Sequence, residues 1–298
     1  MRMRATLNIA DVNLSMASPY PLDLGHLPPA YGPFRGLAAR SPRTLDVAIA
    51  VEQGSATLPP SCRVLFDTGD SWALYADGDA YYLSLDPRGD PGEGLWTARI
   101  ARDLAHATVY CTERTVRSTD RGIALANPVT YPLDQILLML LLARRDGLLV
   151  HAAGVSVGGR GFLFAGRSGA GKSTLCRHLT EQDGLEILSD DRMALRRTDG
   201  AVAAYGTPWP GDQGAALNQR VPLAGLLFLR HASADEVVEL TRRDALARLL
   251  PVASIPWYDA ESVAPALAFC EKLLARVPAY ELRFAPGPRV ARLVAELA

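Results

Sequence analysis

Lysine is almost missing from this chain: of its 31 lysines and arginines in 298 residues, only Lys172 and Lys272 are lysine. Cysteine is scarce too, and Cys62, Cys111, Cys176 and Cys270 stand far apart with no C-x-x-C pair. That spacing argues against a disulfide framework or a zinc site and fits reduced thiols. There is no block of basic residues, the net charge is −1 and the pI is about 6.5, which excludes an electrostatic footprint for nucleic acid. Long apolar runs are also lacking. The longest, Ile136 to Ala143, is eight residues, too short to span a bilayer. After Met1-Arg2-Met3-Arg4, the polar Asn8, Asp11 and Asn13 interrupt any signal-peptide core. The expected setting is the cytoplasm, with neither membrane nor nucleic acid as partner.

What is present is a globular composition, 49% apolar and 21% charged, in a chain long enough for two domains. The first, residues 1–130, is expected to be a β-rich recognition or scaffolding module. Leu45, Val47, Ile49 and Val51 alternate with smaller or polar neighbours, and Arg63–Phe66, Trp72–Tyr75, Tyr81–Leu85, Trp96–Ile100 and Thr108–Cys111 are further strand candidates. Asp77-Gly78-Asp79 suits a tight turn and Pro87–Gly92 a longer loop, while Pro19–Gly36 reads as irregular chain. Asp67, Asp70 and Asp77 sit beside turn glycines, where Asx-turn roles outweigh chemistry.

The second domain, 131–298, opens with a helix over Ile136–Arg144, closed by Gly147. Leu148–Val157 is one apolar stretch that Gly158-Gly159 can turn back into the strand Phe162–Ala165. That strand feeds Gly166-Arg167-Ser168-Gly169-Ala170-Gly171-Lys172-Ser173-Thr174, a match to G-x-x-x-x-G-K-[ST]. Leu175, Cys176 and Leu179 follow at helical spacing, so strand, loop and helix come in the order a phosphate cradle needs. Gly166, Gly169 and Gly171 let the backbone N–H groups turn inward, together with those of Ser168 and Ala170, and the helix adds its positive end. Lys172 can reach the β- and γ-phosphates, and Ser173, flanked by Thr174, can donate a hydroxyl oxygen to Mg²⁺. A hairpin leading into such a loop implies a mixed sheet rather than an all-parallel one.

Eighteen residues beyond the lysine, the short strand Glu186–Ser189 ends at Asp190-Asp191. One carboxylate there can hold Mg²⁺ and the other accept a hydroxyl proton. His151 joins them as a candidate, because its strand and the strand entering the loop form one hairpin. Arg167, Arg192 and Arg220 are weaker candidates for charge neutralisation, and Trp209 either caps the core or lines the site. Downstream, Met193–Arg196 and Ala201–Tyr205 read as a hairpin about Asp199-Gly200, Leu223–Leu229 as a buried strand, and Asp244–Leu250 and Val263–Val277 as helices. Tyr280, Leu282 and Phe284 alternate with Glu281 and Arg283 in a last strand, and Val290, Leu293, Val294 and Leu297 mark a final amphipathic helix.

Val150–Val155, Gly166–Thr174 and Leu188–Asp191 together resemble the catalytic domain of the HPr serine kinases, related in fold to ATP-dependent phosphoenolpyruvate carboxykinase. The resemblance covers about residues 132–298. It implies an α/β, mixed-sheet P-loop kinase domain that uses ATP and Mg²⁺, with Asp190, His151 and Lys172 in phosphoryl transfer. It also implies nucleotide binding by Gly166 and Ser168 to Thr174, with the metal held by Ser173 and Asp191. No counterpart of the HPr kinases' glycine- and asparagine-containing signature follows the Asp pair. The chain is closer to the compact HPr-kinase-like proteins of ribosomal peptide pathways, including lasso peptide kinases, which implies phosphorylation of a serine in a precursor peptide. An HPr-like protein or free serine as acceptor, and an ATPase or switch without an acceptor, remain as alternatives. A homo-oligomer is left open.

Overall fold

The computed structural model describes residues 3–25, 27–36, 41–85, 94–120, 122–180, 184–285, 287 and 289–296. The loop expected at Pro87–Gly92 and the apolar Leu297 lie outside them. The chain divides into two compact units, Met1–Leu141 and Leu142–Ala298.

The first unit is built from strands β1 (Met3–Ile9), β2 (Val12–Ser18), β3 (Leu22–Asp23), β4 (Leu45–Gln53), β5 (Arg63–Asp67), β6 (Trp72–Ala76), β7 (Ala80–Leu85), β8 (Trp96–Ala101), β9 (His106–Cys111), β10 (Val116–Thr119) and β11 (Gly122–Ala126). Eight form one sheet, ordered β1-β2-β4-β9-β8-β7-β6-β5, and β10, β11 and β3 form a small second one. Within the large sheet β4 runs parallel to both β2 and β9. Every strand expected from alternation in this half is present, and Asp67 and Asp77 each accept a backbone N–H two residues on, as Asx turns do.

Sequence reading missed the β1–β2 hairpin. Its inward residues Leu7, Ile9, Val12 and Leu14 are at most 1% exposed, but its turn is Ala10-Asp11, with φ of 54° and 57° and no glycine to mark it.

Helix α1 (Leu133–Arg144) carries the division between the units. Leu133, Leu137, Leu138, Leu140 and Leu142 are all fully buried, as the eight-residue apolar run implied. Gly147 does not close the helix. Asp146 takes the left-handed turn at φ 52°, and Gly147 starts the next strand because a Cβ there would stand 2.7 Å from the Leu195 carbonyl oxygen.

The second unit continues with β12 (Gly147–Val157), β13 (Arg160–Ala165), α2 (Lys172–Thr180), β14 (Leu185–Ser189), β15 (Arg192–Thr198), β16 (Ala201–Tyr205), β17 (Arg220–His231), β18 (Glu236–Glu239), α3 (Arg242–Leu249), α4 (Ala260–Leu274), β19 (Ala279–Phe284) and α5 (Arg289–Ala295). Its sheet is mixed: β13 is antiparallel to β12 but parallel to β17, which is parallel to β19. Both faces are covered, which explains why β17 reads as a continuous apolar run rather than an alternation. Leu226 and Phe228 pack into a cluster with Leu249 of α3 and Phe269 and Leu273 of α4. Leu227 packs on the other side with Leu175, Cys176 and Leu179 of α2 and Val290 and Val294 of α5.

One alternation fails. Glu281 does not face water opposite Leu282; it is 1% exposed and takes ion pairs from Arg230, Arg248 and Arg283 at 3.4, 2.6 and 2.7 Å. Among the described residues no helix is long and apolar enough to cross a membrane, and the four cysteines are free thiols.

Candidate functional site

The site is assembled around β12, an eleven-residue strand with two different sets of neighbours. From Gly147 to His151 it pairs with β15, and from Gly154 to Val157 with β14. The chain passes from β14 to β15 at Asp190-Asp191, opposite the midpoint of β12, where the Ala152 N–H donates to the Asp191 carbonyl at 3.0 Å. On its other edge β12 pairs with β13 over Ala152–Val157, and Gly158 and Gly159, at φ 56° and 79°, form the connecting turn. That turn delivers the chain to the glycine-rich loop beside the Asp pair. Three motifs far apart in sequence therefore meet because one strand touches all of them.

The loop is as constrained as its sequence implies. Gly169 and Gly171 have φ of 82° and 98°, where other residues are strained, and a Cβ on Gly166 would stand 2.5 Å from that of Ala170. Lys172 is 7% exposed, and its Nζ donates to the Gly166 carbonyl at 2.9 Å across the curl of the loop. Burial lowers its pKa, an effect opposed by the nearby Asp191 carboxylate. A buried cation held by one carbonyl is costly without an anion to receive it.

A cleft of about 470 Å³ opens in front of the loop. Ser168, Gly169, Gly171, Lys172, Ser173 and Thr174 line one side, and His151, Asp190 and Asp191 the other. Gly166 and Ala170 shape the turn and do not line the cleft.

The two aspartates have different surroundings. Asp190 is 2% exposed; its Oδ1 accepts the Gly211 N–H at 2.9 Å and its Oδ2 the Gln213 N–H at 2.7 Å. Asp191 is about one-third exposed, with His151 Nε2 2.9 Å from its Oδ1 and Arg192 Nε 3.2 Å from its Oδ2. Burial pushes the Asp191 carboxyl up, but the His151 hydrogen bond and the charges of His151, Arg192 and Lys172 outweigh it and hold the pKa below the ordinary value.

Of the weaker candidates, Arg192 is in place, reaching Asp191 and, at 3.3 Å, the Ser254 hydroxyl. Arg220 is engaged elsewhere, with Tyr205 and Thr198, and Arg167 is exposed on the loop. Trp209 is 7% exposed, within the core.

In the segment that follows β16, sequence reading singled out the loop Gly206–Gly211 and its Trp209 but missed Asp212 and the way the segment is anchored. Thr207 is fully buried and donates its hydroxyl to the Arg192 carbonyl at 2.6 Å, fixing the segment under the Asp pair. Its continuation brings Gly211 and Asp212 into the cleft, with the Ser173 hydroxyl 3.4 Å from Asp212 Oδ2. His231, at the end of β17, also lines the cleft, with Nε2 3.1 Å from the Gly169 carbonyl oxygen. Neither residue lies in a motif; the clue to Asp212 was an acidic residue directly after the Gly206–Gly211 loop.

Among the described residues no three His, Cys, Asp or Glu side chains gather as a metal site. The loop's residues suit an anionic partner: the N-terminus of α2 and the buried Lys172 lie beside the cleft.

Residues 131–285, just over half of the chain, match the protein family described as SynChlorMet cassette protein ScmC. No curated protein matches. Among solved structures, the HPr(Ser) kinase/phosphatase from Coxiella burnetii is similar at 13% identity, over 50% of this chain and 92% of that one, with a TM-score of 0.30. An overlap that loose carries no argument about function.

Proposed function

The chain belongs to the SynChlorMet cassette protein ScmC family, whose matched segment holds every residue of the cleft, and we propose that it is an ATP-dependent kinase that phosphorylates a hydroxyl, with a serine of a small peptide as acceptor. The observation that carries this reading is the buried Lys172 at the mouth of a glycine-rich loop, facing the paired His151 and Asp191 across the cleft.

Lys172 and the loop N–H groups bind and neutralise phosphate oxygens, and α2 directs its positive end at them. Asp191, held ionised and oriented by His151, accepts the proton of the acceptor hydroxyl as it approaches. Arg192 fixes the second oxygen of that carboxylate. Asp190 is 2% exposed with both oxygens on backbone N–H groups, so it positions a loop, whereas Asp191 is about one-third exposed and open to the acceptor. This division departs from the expected one, in which Asp190 is the base and Asp191 the metal ligand: here Asp191 is the base and Asp190 meets neither acceptor nor metal. A Mg²⁺ bound at the Ser173 hydroxyl would supply charge neutralisation between the phosphates. The catalysis asked of the protein is positioning and electrostatics, the usual share in phosphoryl transfer.

A precursor peptide of the lasso type is the acceptor carried over from the sequence resemblance. The test is intact-mass analysis after incubation with ATP, Mg²⁺ and the small peptide encoded beside the gene. A mass gain of one phosphate on a serine supports the proposal. ATP turnover with no phosphorylated peptide, HPr-like protein or free serine overturns it in favour of an ATPase or switch.

A further inference from the structure

The cleft holds three carboxylates, and two of them are committed. Asp190 accepts two backbone N–H groups, and Asp191 engages His151 and Arg192. The third is Asp212, whose Oδ2 faces the Ser173 hydroxyl at 3.4 Å at the start of α2. We infer that Asp212 and Ser173 are the protein's ligands to the divalent cation that accompanies the nucleotide, and that Asp190 is the positioning residue that puts Asp212 there. The inference rests on the nucleotide reading of the cleft.

The positioning is explicit in the hydrogen bonds. The donors to Asp190 are the N–H groups of Gly211 and Gln213, the residues on either side of Asp212, so a fully buried carboxylate pins the backbone at both flanks. Gly211 allows that approach: a Cβ there would lie 3.0 Å from Asp190 Oδ2 and 3.3 Å from the Asp191 Cβ. The residue between these anchors lines the cleft together with Ser173 and Lys172. A hydroxyl and a carboxylate are both hard oxygen donors. Neighbouring ligands on an octahedral Mg²⁺ with ~2.1 Å bonds stand roughly 3 Å apart, close to the spacing seen here.

Cation and phosphate would then share the cleft, with Ser173 and Asp212 on one flank and Lys172 behind. The chemistry recognised is a nucleoside triphosphate with its divalent cation, held on its metal side by a loop that no sequence motif announced. In the bland alternative, Asp212 simply complements the positive N-terminus of α2. That role needs no metal, so metal binding separates the two.

The decisive experiment titrates Mn²⁺ into the full-length protein with the non-hydrolysable analogue AMP-PNP, following free Mn²⁺ by electron paramagnetic resonance. Analogue binding without metal is measured in EDTA, and folding by thermal melt. Asp212→Asn should weaken Mn²⁺ binding by about 10-fold or more, the scale set even by outer-shell losses, without weakening metal-free binding, since the carboxylate it removes repels phosphate. Asp212→Glu should recover part of the loss. Unchanged Mn²⁺ affinity in a folded Asp212→Asn protein overturns the assignment while leaving the nucleotide site standing. Failure of the unmodified protein to bind AMP-PNP at all sinks the nucleotide reading and the assignment with it.

Discussion

His151 Nε2 stands 2.9 Å from Asp191 Oδ1, joining a residue in the middle of β12 to the turn between β14 and β15, forty positions later. The contact helps keep Asp191 ionised. It has a readable consequence in pH. A carboxyl held below its ordinary pKa stays charged as acid is added, so the acid limb of kcat/KM should lie below the usual carboxylate range. Removing the imidazole with His151→Ala should move that limb upward in pH and lower the rate. An acid limb identical in both proteins would detach His151 from Asp191.

Lys172→Met tests the cost of the cradle. The lysine pKa is lowered chiefly by burial, so its charge is held at the expense of the fold, and a neutral side chain of similar length removes that expense. Thermal melting should show a midpoint equal to or above that of the unmodified protein. Phosphotransfer should fall by ~10³-fold or more, as expected for a group acting on transferring phosphate. Transfer at the original rate would remove Lys172 from the site.

Asp190→Asn should act through the loop. The amide can accept one N–H but turns its own buried donor toward the other, leaving that buried amide donor unmet at about 1–3 kcal/mol. Urea unfolding should report that loss, and hydrogen exchange should quicken at Gly211 and Gln213. Equal stability with unchanged exchange would show that Asp190 does not anchor the segment.

Glu281→Gln probes the buried carboxylate on the other face of the sheet. Burial raises the Glu281 pKa, but the Arg283 hydrogen bond and the charges of Arg248, Arg230 and Arg283 exceed that and bring it below its ordinary value of 4.5. A depressed carboxyl stabilises the fold above the unfolded pKa, and the stabilisation is lost as pH falls through the folded one. The variant should therefore be less stable than the parent at neutral pH, with the gap closing below pH 4.5. A gap that stays constant through acid would assign the loss to packing.

Local chemistry made much of this molecule legible in the sequence. The glycine-rich loop, its strand and its helix could be read because each needs a residue type in register: glycine where φ is positive, and apolar residues where the strand and helix are buried. The Gly158-Gly159 and Asp199-Gly200 turns were legible for the same reason, and with them the mixed sheet. The Ala10-Asp11 turn was not, because neither residue announces a left-handed conformation. The burial of Glu281 was not legible, because alternation predicts which way a side chain points, not whether arginines from two other elements will meet it there.

The sequence by itself determined that a glycine-rich strand–loop–helix, an acid pair and a histidine would be present, since each is a local pattern with a local physical cause. Tertiary structure decided what they do to one another. Only the pairing of β12 with both β14 and β15 brings His151 onto Asp191 and not Asp190. Only the fold of the segment after β16 turns the Gly211 and Gln213 N–H groups onto Asp190 and sets Asp212 beside Ser173. Those contacts join residues tens of positions apart, and the free energy that selects them comes from burying the whole sheet between its helices, which no short window of sequence contains.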